Sequence, residues 1–163
     1  MSLTKDVEVL RSIPLFAKID PAKLKLLAFT SERLHFMSGD ELCHQGDVGD
    51  AAYIILEGEA DVLVDTPDGA LRVATVGRND IIGEIAIICD VPRTATVAAR
   101  DEVETLKISK DSFFHLVTQF PQIGFEVMRE LASRLHHTTQ ALTAVKARMR
   151  ELERAAGGGN SKG

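Results

Sequence analysis

The chain has 163 residues, 45% of them hydrophobic, and a formal net charge of −5, which fits one domain plus an appendage around a single core. The negative balance argues against a protein whose main task is nucleic-acid binding. No apolar run approaches the ~20 residues of a membrane span and none reads as a signal peptide, so a cytoplasmic location without a membrane span is expected. Cys43 and Cys89 form no CxxC, which leaves a metal or redox site without support and predicts two reduced, largely buried thiols.

Residues 3–10 carry apolar positions at the spacing of a short amphipathic helix. Ile13-Pro14-Leu15-Phe16 interrupts it. Asp20 then suits an N-cap and Pro21 the first position of a second helix, with Leu24, Leu27 and Ala28 on one side. Strand signals dominate residues 32–108, where Gly39-Asp40, Gly46-Asp47 and Gly49-Asp50 punctuate short apolar runs as turns. Tyr53-Ile54-Ile55-Leu56 leads through Gly58 into a segment where Ala60, Val62 and Val64 alternate with Asp61, Leu63 and Asp65. Pro67-Asp68-Gly69 predicts a hairpin turn, since glycine or Asp tolerates a positive φ, and Leu71, Val73 and Val76 belong to the return strand. Short strands joined by Gly-rich turns predict a mainly β fold with flanking helices (α+β), built as a jelly roll or barrel.

The stretch 83–97 reads as a short helix, a sharp turn and the start of a strand. Gly83 opens the helix, so the N–H groups of Ile85 and Ala86 have no intrahelical partner and face an anion with the helix dipole behind them. Without a Cβ, Gly83 admits close approach to the backbone. Pro92 ends the segment, and Arg93 offers the planar fork that suits a phosphate. Glu84 is an acceptor-only group beside that anion site, and fits if the ligand also carries a hydroxyl donor. A sugar phosphate is the inference.

Thr96 and Val97 open a strand, and residues 103–108 read as its partner across a turn at Asp101 and Glu102. Residues 110–117 predict a helix with Phe113, Phe114 and Val117 as apolar contacts. Pro121 starts the last long element, 121–155, and the small, polar residues 156–163 predict a disordered tail. Met128, Leu131, Leu135, Thr138, Leu142, Val145, Met149 and Leu152 alternate at spacings of three and four, a heptad seam with one polar position. A helix lying on the β-structure explains part of this stripe. Its continuation to Leu152 favours a parallel homodimer. Thr138 either fixes register or meets a ligand. Adjacent His136 and His137 cannot share a helix face as metal ligands and read as surface residues, and the mixed charges of this helix read as a solvated face.

Gly83-Glu84-Ile85-Ala86 followed by Pro92-Arg93-Thr94-Ala95-Thr96-Val97 resembles the phosphate-binding cassette of cyclic nucleotide-binding domains. That family includes catabolite activator proteins, regulatory subunits of cyclic AMP-dependent protein kinase and cyclic-nucleotide-gated channels. The order of Gly46-Asp47, Gly49-Asp50, Gly58 and Gly77 also resembles the family's β-roll glycines, and the likeness runs from about Leu10 to beyond Leu135. Asn79 departs from it, where many members have glycine, in a loop rather than at a ligand contact. The resemblance implies a β-roll (double-stranded β-helix) over 31–120, N-terminal helices over 1–30 and a C-terminal lid or dimerisation helix over 121–155. It implies that Glu84 accepts from the ribose 2′-OH and that Arg93 pairs with the cyclic phosphate. The N–H groups near Ile85 and Ala86 complete the cradle, and Thr94 offers a hydroxyl to phosphate or base. By alternation Val62, Val73 and Ile85 line the sugar–base pocket, but apolar walls discriminate purines poorly, so cyclic AMP (cAMP) and cyclic GMP (cGMP) both stay open. Leu131-Ala132-Ser133-Arg134-Leu135 with Thr138-Thr139 resembles the activators' central dimer helix, which makes Thr138 and Thr139 candidate base contacts. A glycine turn with a buried Glu–Arg pair, as in a degenerate member, is the other reading of the cassette.

Several absences bear on function. Activators usually continue into a helix-turn-helix domain, whereas this chain ends after one long helix, so no direct DNA binding is expected. Two isolated cysteines cannot hold an iron–sulfur cluster with four protein thiolates. No nucleophile–base pair, metal triad or paired catalytic carboxylates stand out, so neither an enzyme nor a metal or cofactor is expected. The leading expectation is a sensor module whose ligand is cAMP or cGMP and whose terminal helix signals to an unknown downstream protein. A dimerisation or scaffold module with a degenerate pocket is the alternative, as is a fragment of a channel or transcription regulator.

Overall fold

The computed structural model describes residues 3–13 and 16–158, and its contacts divide the chain between Ile123 and Gly124. The first unit opens with helices α1 (Leu3–Ser12) and α2 (Pro21–Thr30). Asp20 caps α2 as its sequence predicts, its Oδ1 accepting from the Ala22 N–H at 3.0 Å, with Pro21 in the first turn. Leu24, Leu27 and Ala28 form the buried side of that helix. Pro14 and Leu15, read as part of the preceding break, lie outside the described residues. Asp6 on α1 meets Arg33 at 2.8 Å and ties the helix to the first strand.

The strands are β1 (Glu32–Phe36), β2 (Glu41–Cys43), β3 (Ala51–Glu57), β4 (Ala60–Thr66), β5 (Gly69–Val76), β6 (Ile81–Ile82), β7 (Thr96–Ala99) and β8 (Val103–Ser109). They form two antiparallel sheets, ordered β1-β8-β3-β6 and β2-β7-β4-β5. Helix α3 (Glu84–Ile88) lies between β6 and β7 in the chain, and α4 (Lys110–Gln119) and α5 (Pro121–Gly157) follow β8. A core of Leu42, Tyr53, Ile55, Ala60, Ile82, Val97, Ala99 and Val103 draws residues from both sheets, so each sheet hides one face against the other. This is the predicted β-roll with flanking helices and a long C-terminal helix. Strand β3 is buried from Ala51 to Leu56. Tyr53 and Ile55 enter the inter-sheet core, while α3 and α4 also pack against this strand. Burial on both faces explains why its sequence is a continuous apolar run.

One expected pairing is corrected. Strands β7 and β8 are not partners: β7 lies between β2 and β4, and β8 between β1 and β3. The chain changes sheet at residues 100–102, and again, between β3 and β4, at Gly58-Glu59. These two corners are stitched together, because Arg100 N donates to Glu59 O at 2.9 Å and Glu59 N to Asp101 Oδ1 at 2.8 Å. Gly58 has a φ of 90°, and a Cβ there would collide with the Glu102 carbonyl. Alternation reports which side of a strand is buried but not which sheet the strand joins, so a corner and a hairpin read alike.

In the second unit α5 continues to Gly157, so Ala156 and Gly157, expected in the tail, are helical, and residues 159–163 lie outside the described ones. Met128, Leu135, Leu142, Val145, Met149 and Leu152 are each more than half exposed along this helix. Cys43 is half-buried, but Cys89 is exposed rather than buried, because it caps the C-terminus of α3 beyond that helix's buried residues. Among the described residues no helix is long and apolar enough to cross a membrane.

The stitched corners predict a contrast between two positive-φ glycines. Gly69→Ala, with open space around it, should lose about 1–2 kcal/mol to backbone strain. Gly58→Ala should lose about 2–4 kcal/mol, because overpacking against the Glu102 carbonyl is added. Urea denaturation of both variants measures this, and equal losses would contradict the close corner packing.

Candidate functional site

Helix α3 starts from Gly83, whose φ of 84° is left-handed and which brings no side-chain cap. The first N–H groups of such a helix have no intrahelical acceptor, and those of Ile85 and Ala86 lie in this first turn. Glu84, Ala86 and Ile87 are buried, whereas Ile85 and Ile88 are more exposed. Gly83 is needed for a second reason: a Cβ there would collide with Nη1 of Arg93.

Arg93 is only 5% exposed. Its Nη1 donates to Gly83 O at 3.2 Å and its Nη2 to Ala51 O at 2.7 Å. The guanidinium carbon sits 5.8 Å from the centroid of the Tyr53 ring, within reach of a cation–π interaction. A guanidinium carries five N–H donors, so these two carbonyls leave capacity for an anion. The backbone of Arg93 is also clamped, its N–H donating to Asp47 O at 2.8 Å and its carbonyl accepting from Gly46 N at 2.9 Å. Gly49 lies against the cassette so tightly that a Cβ would collide with that of Ala86. Burial pushes the Cys43 thiol and the Tyr53 phenol up from their ordinary pKa values, against the lowering pull of the Arg93 charge.

The structure therefore brings Gly83, Ala86 and Arg93 together around the β2–β3 loop, with Glu84 and Ile85 on the same helix. Thr94 follows Arg93 and is exposed, and Val62 is half-buried opposite Val97, where the cassette ends. Val73 lies on β5, which is exposed from Gly69 to Thr75. Val62 pairs with Ala74 and Leu63 with Arg72, so Val73 is the extra residue of a bulge and is 54% exposed. Ala74 takes the place opposite Val62. Thr138 and Thr139 belong to the second unit, where both are exposed on α5 and Thr139 O accepts from Thr143 Oγ1 at 2.8 Å. Asn79 adopts a φ of 73°, the left-handed conformation that Asn tolerates best after glycine, which accounts for its standing in for glycine.

Sequence reasoning missed four contributors: Tyr53, Gly49, and the carbonyls of Asp47 and Ala51. Backbone carbonyls leave no residue-type signal, and the Gly46–Gly49 pattern announced a turn without saying what it packs on. Elsewhere in this unit a cavity of about 470 Å³ lies between α2 and α4, lined in part by Leu26, Leu27, Leu116 and Phe120. None of the predicted site residues lines it. Among the described residues no group of three His, Cys, Asp or Glu is placed to hold a metal ion.

A two-sheet roll with a buried arginine drawn against a glycine-opened helix start places the chain among β-roll modules. The chain belongs to the cyclic nucleotide-binding domain family, whose profile matches residues 33–120. It is 28% identical over 136 residues to the CRP-like cAMP-activated global transcriptional regulator of Mycobacterium tuberculosis, covering 83% of this chain and 61% of that protein. It is 30% identical over 108 residues to a cAMP-dependent protein kinase regulatory subunit of Aspergillus niger, covering 66% of this chain and 26% of the relative. The solved structure of Thermus thermophilus catabolite activator protein superposes with a TM-score of 0.74 at 23% identity, a likeness of fold covering 82% of this chain and 63% of that one. The chain thus spans less than two thirds of each of these proteins, and the two relatives matched by sequence are regulators by name.

Proposed function

We propose that this chain is a sensor module that binds cAMP or cGMP and passes occupancy through α5 to a protein partner. The observation that carries the reading is the Arg93 guanidinium held at 3.2 Å from the carbonyl of Gly83, the residue that opens α3. A cyclic phosphate bears one negative charge, and here it meets a full cation together with the N–H groups of Ile85 and Ala86. Glu84 accepts from the ribose 2′-OH, Thr94 donates to phosphate or base, and Val62 lies beside the sugar. The names of the two regulators similar in sequence, one cAMP-activated and one cAMP-dependent, favour cAMP over cGMP.

The signal is a population shift, limited to the ligand's difference in affinity between two placements of the cassette. The far end of the cassette reaches α4 through Lys110, whose Nζ lies 3.3 Å from Asp90 Oδ1 and whose N–H donates to Asp50 O at 2.8 Å. A ligand that draws α3 inward loads those contacts. The exposed heptad face of α5 supports a parallel homodimer. The module works in the cytoplasm, carries no catalysis of its own and makes no DNA contact through these residues. A second reading, a scaffold with a structural arginine, is favoured by the engagement of Arg93 with two backbone carbonyls.

Arg93→Ala should weaken cAMP binding about ten- to a hundredfold, the worth of hydrogen bonds to a charged group, and Arg93→Lys should restore only part of it. Calorimetry with cAMP and cGMP checks this. Equal affinities for wild type and Arg93→Ala would remove the arginine from the site, and no binding by wild type would favour the scaffold. Placing a charge in the seam with Leu142→Asp should convert a dimer to a monomer in sedimentation equilibrium. A wild type already monomeric at high concentration would end the dimer reading.

A further inference from the structure

We propose that Tyr53 is the positioning residue of the site, its ring face setting the plane in which Arg93 presents its guanidinium to the phosphate. This rests on the cyclic-nucleotide reading above. Two hydrogen bonds, at 3.2 and 2.7 Å, fix one edge of the guanidinium but leave it free to tilt about that edge. The Tyr53 ring, 5.8 Å away, supplies the missing constraint from one face. Both residues are nearly buried, at 5% exposure for Arg93 and 7% for Tyr53, and a cation–π contact is strongest where it is desolvated.

The direction of control follows from where each residue sits. Arg93 stands on the turn between α3 and β7, whereas Tyr53 stands inside β3, paired with Ile82 on one side and Lys107 on the other. Phe36 braces its ring edge-on, with centroids 6.4 Å apart and planes at 76°. Ile82 immediately precedes Gly83. Tyr53 therefore holds the helix start through its backbone ladder and the arginine through its ring. The strand is the rigid partner, and the cassette is referred to it at both of its binding limbs.

The chain contains one tyrosine, so an aromatic replaced at position 53 leaves no other tyrosine to complicate the result. In the full chain, Tyr53→Phe keeps the ring and should bind cAMP within about threefold of wild type, because the face is retained. Progressively fluorinated phenylalanines at the same position keep the shape while draining the negative face. Affinity for cAMP should then fall stepwise, by about tenfold in all. In an Arg93→Ala background the series should be flat. A flat series with Arg93 present, or the same slope in both backgrounds, would reduce Tyr53 to a packing residue while leaving the cyclic-nucleotide reading intact. No cAMP binding by wild type would overturn the parent reading and this one together.

Discussion

The burial of the Arg93 guanidinium is the constraint around which the first unit is arranged. A charge taken out of water is costly unless it is met by oriented polar groups, and here it is met by two carbonyls and the face of a ring. Those groups come from separate stretches of chain: Ala51 and Tyr53 from β3, and Gly83 from the junction of β6 and α3. The loop carrying Gly46 and Asp47 secures the arginine's own backbone. Two glycines make the convergence sterically possible, since a Cβ on Gly83 would meet Arg93 and one on Gly49 would meet Ala86.

Such an arrangement pairs a rigid frame with an adjustable insert. The frame is the double sheet, where β3 is buried on both faces and the corners at Gly58 and Asp101 lock one sheet to the other. The insert is a short helix followed by a turn in which Asp90 takes a positive φ of 51°. The exposed pair of Asp90 with Lys110 joins this turn to α4, and exposed pairs of this kind contribute little. Under the proposed function, an anion binding at the near end would act on an element joined to α4 by an exposed ion pair.

Much of this was legible in the sequence because it depended on residue type at fixed spacing. Asp20 and Pro21 marked the start of α2, Gly83 and Arg93 marked the cassette, and Gly69 marked the β4–β5 turn. What was hidden was of three kinds. The sheet to which β7 and β8 each belong is decided by corners, which share the periodicity of hairpins. Strand β5 has an alternating sequence but is exposed from Gly69 to Thr75, with a bulge at Val73, so alternation there does not report burial. The clamp on Arg93 is largely main-chain, and carbonyls are carried by every residue.

The central claim is that a cyclic phosphate is received between Arg93 and the start of α3. The most direct measurement is the two-dimensional amide spectrum of the isotopically labelled chain during titration with cAMP. The account predicts that the amide signals of Ile85 and Ala86 and the Nε–H of Arg93 shift together and saturate at one common concentration. Saturable binding that leaves those three signals in place while others move would contradict it.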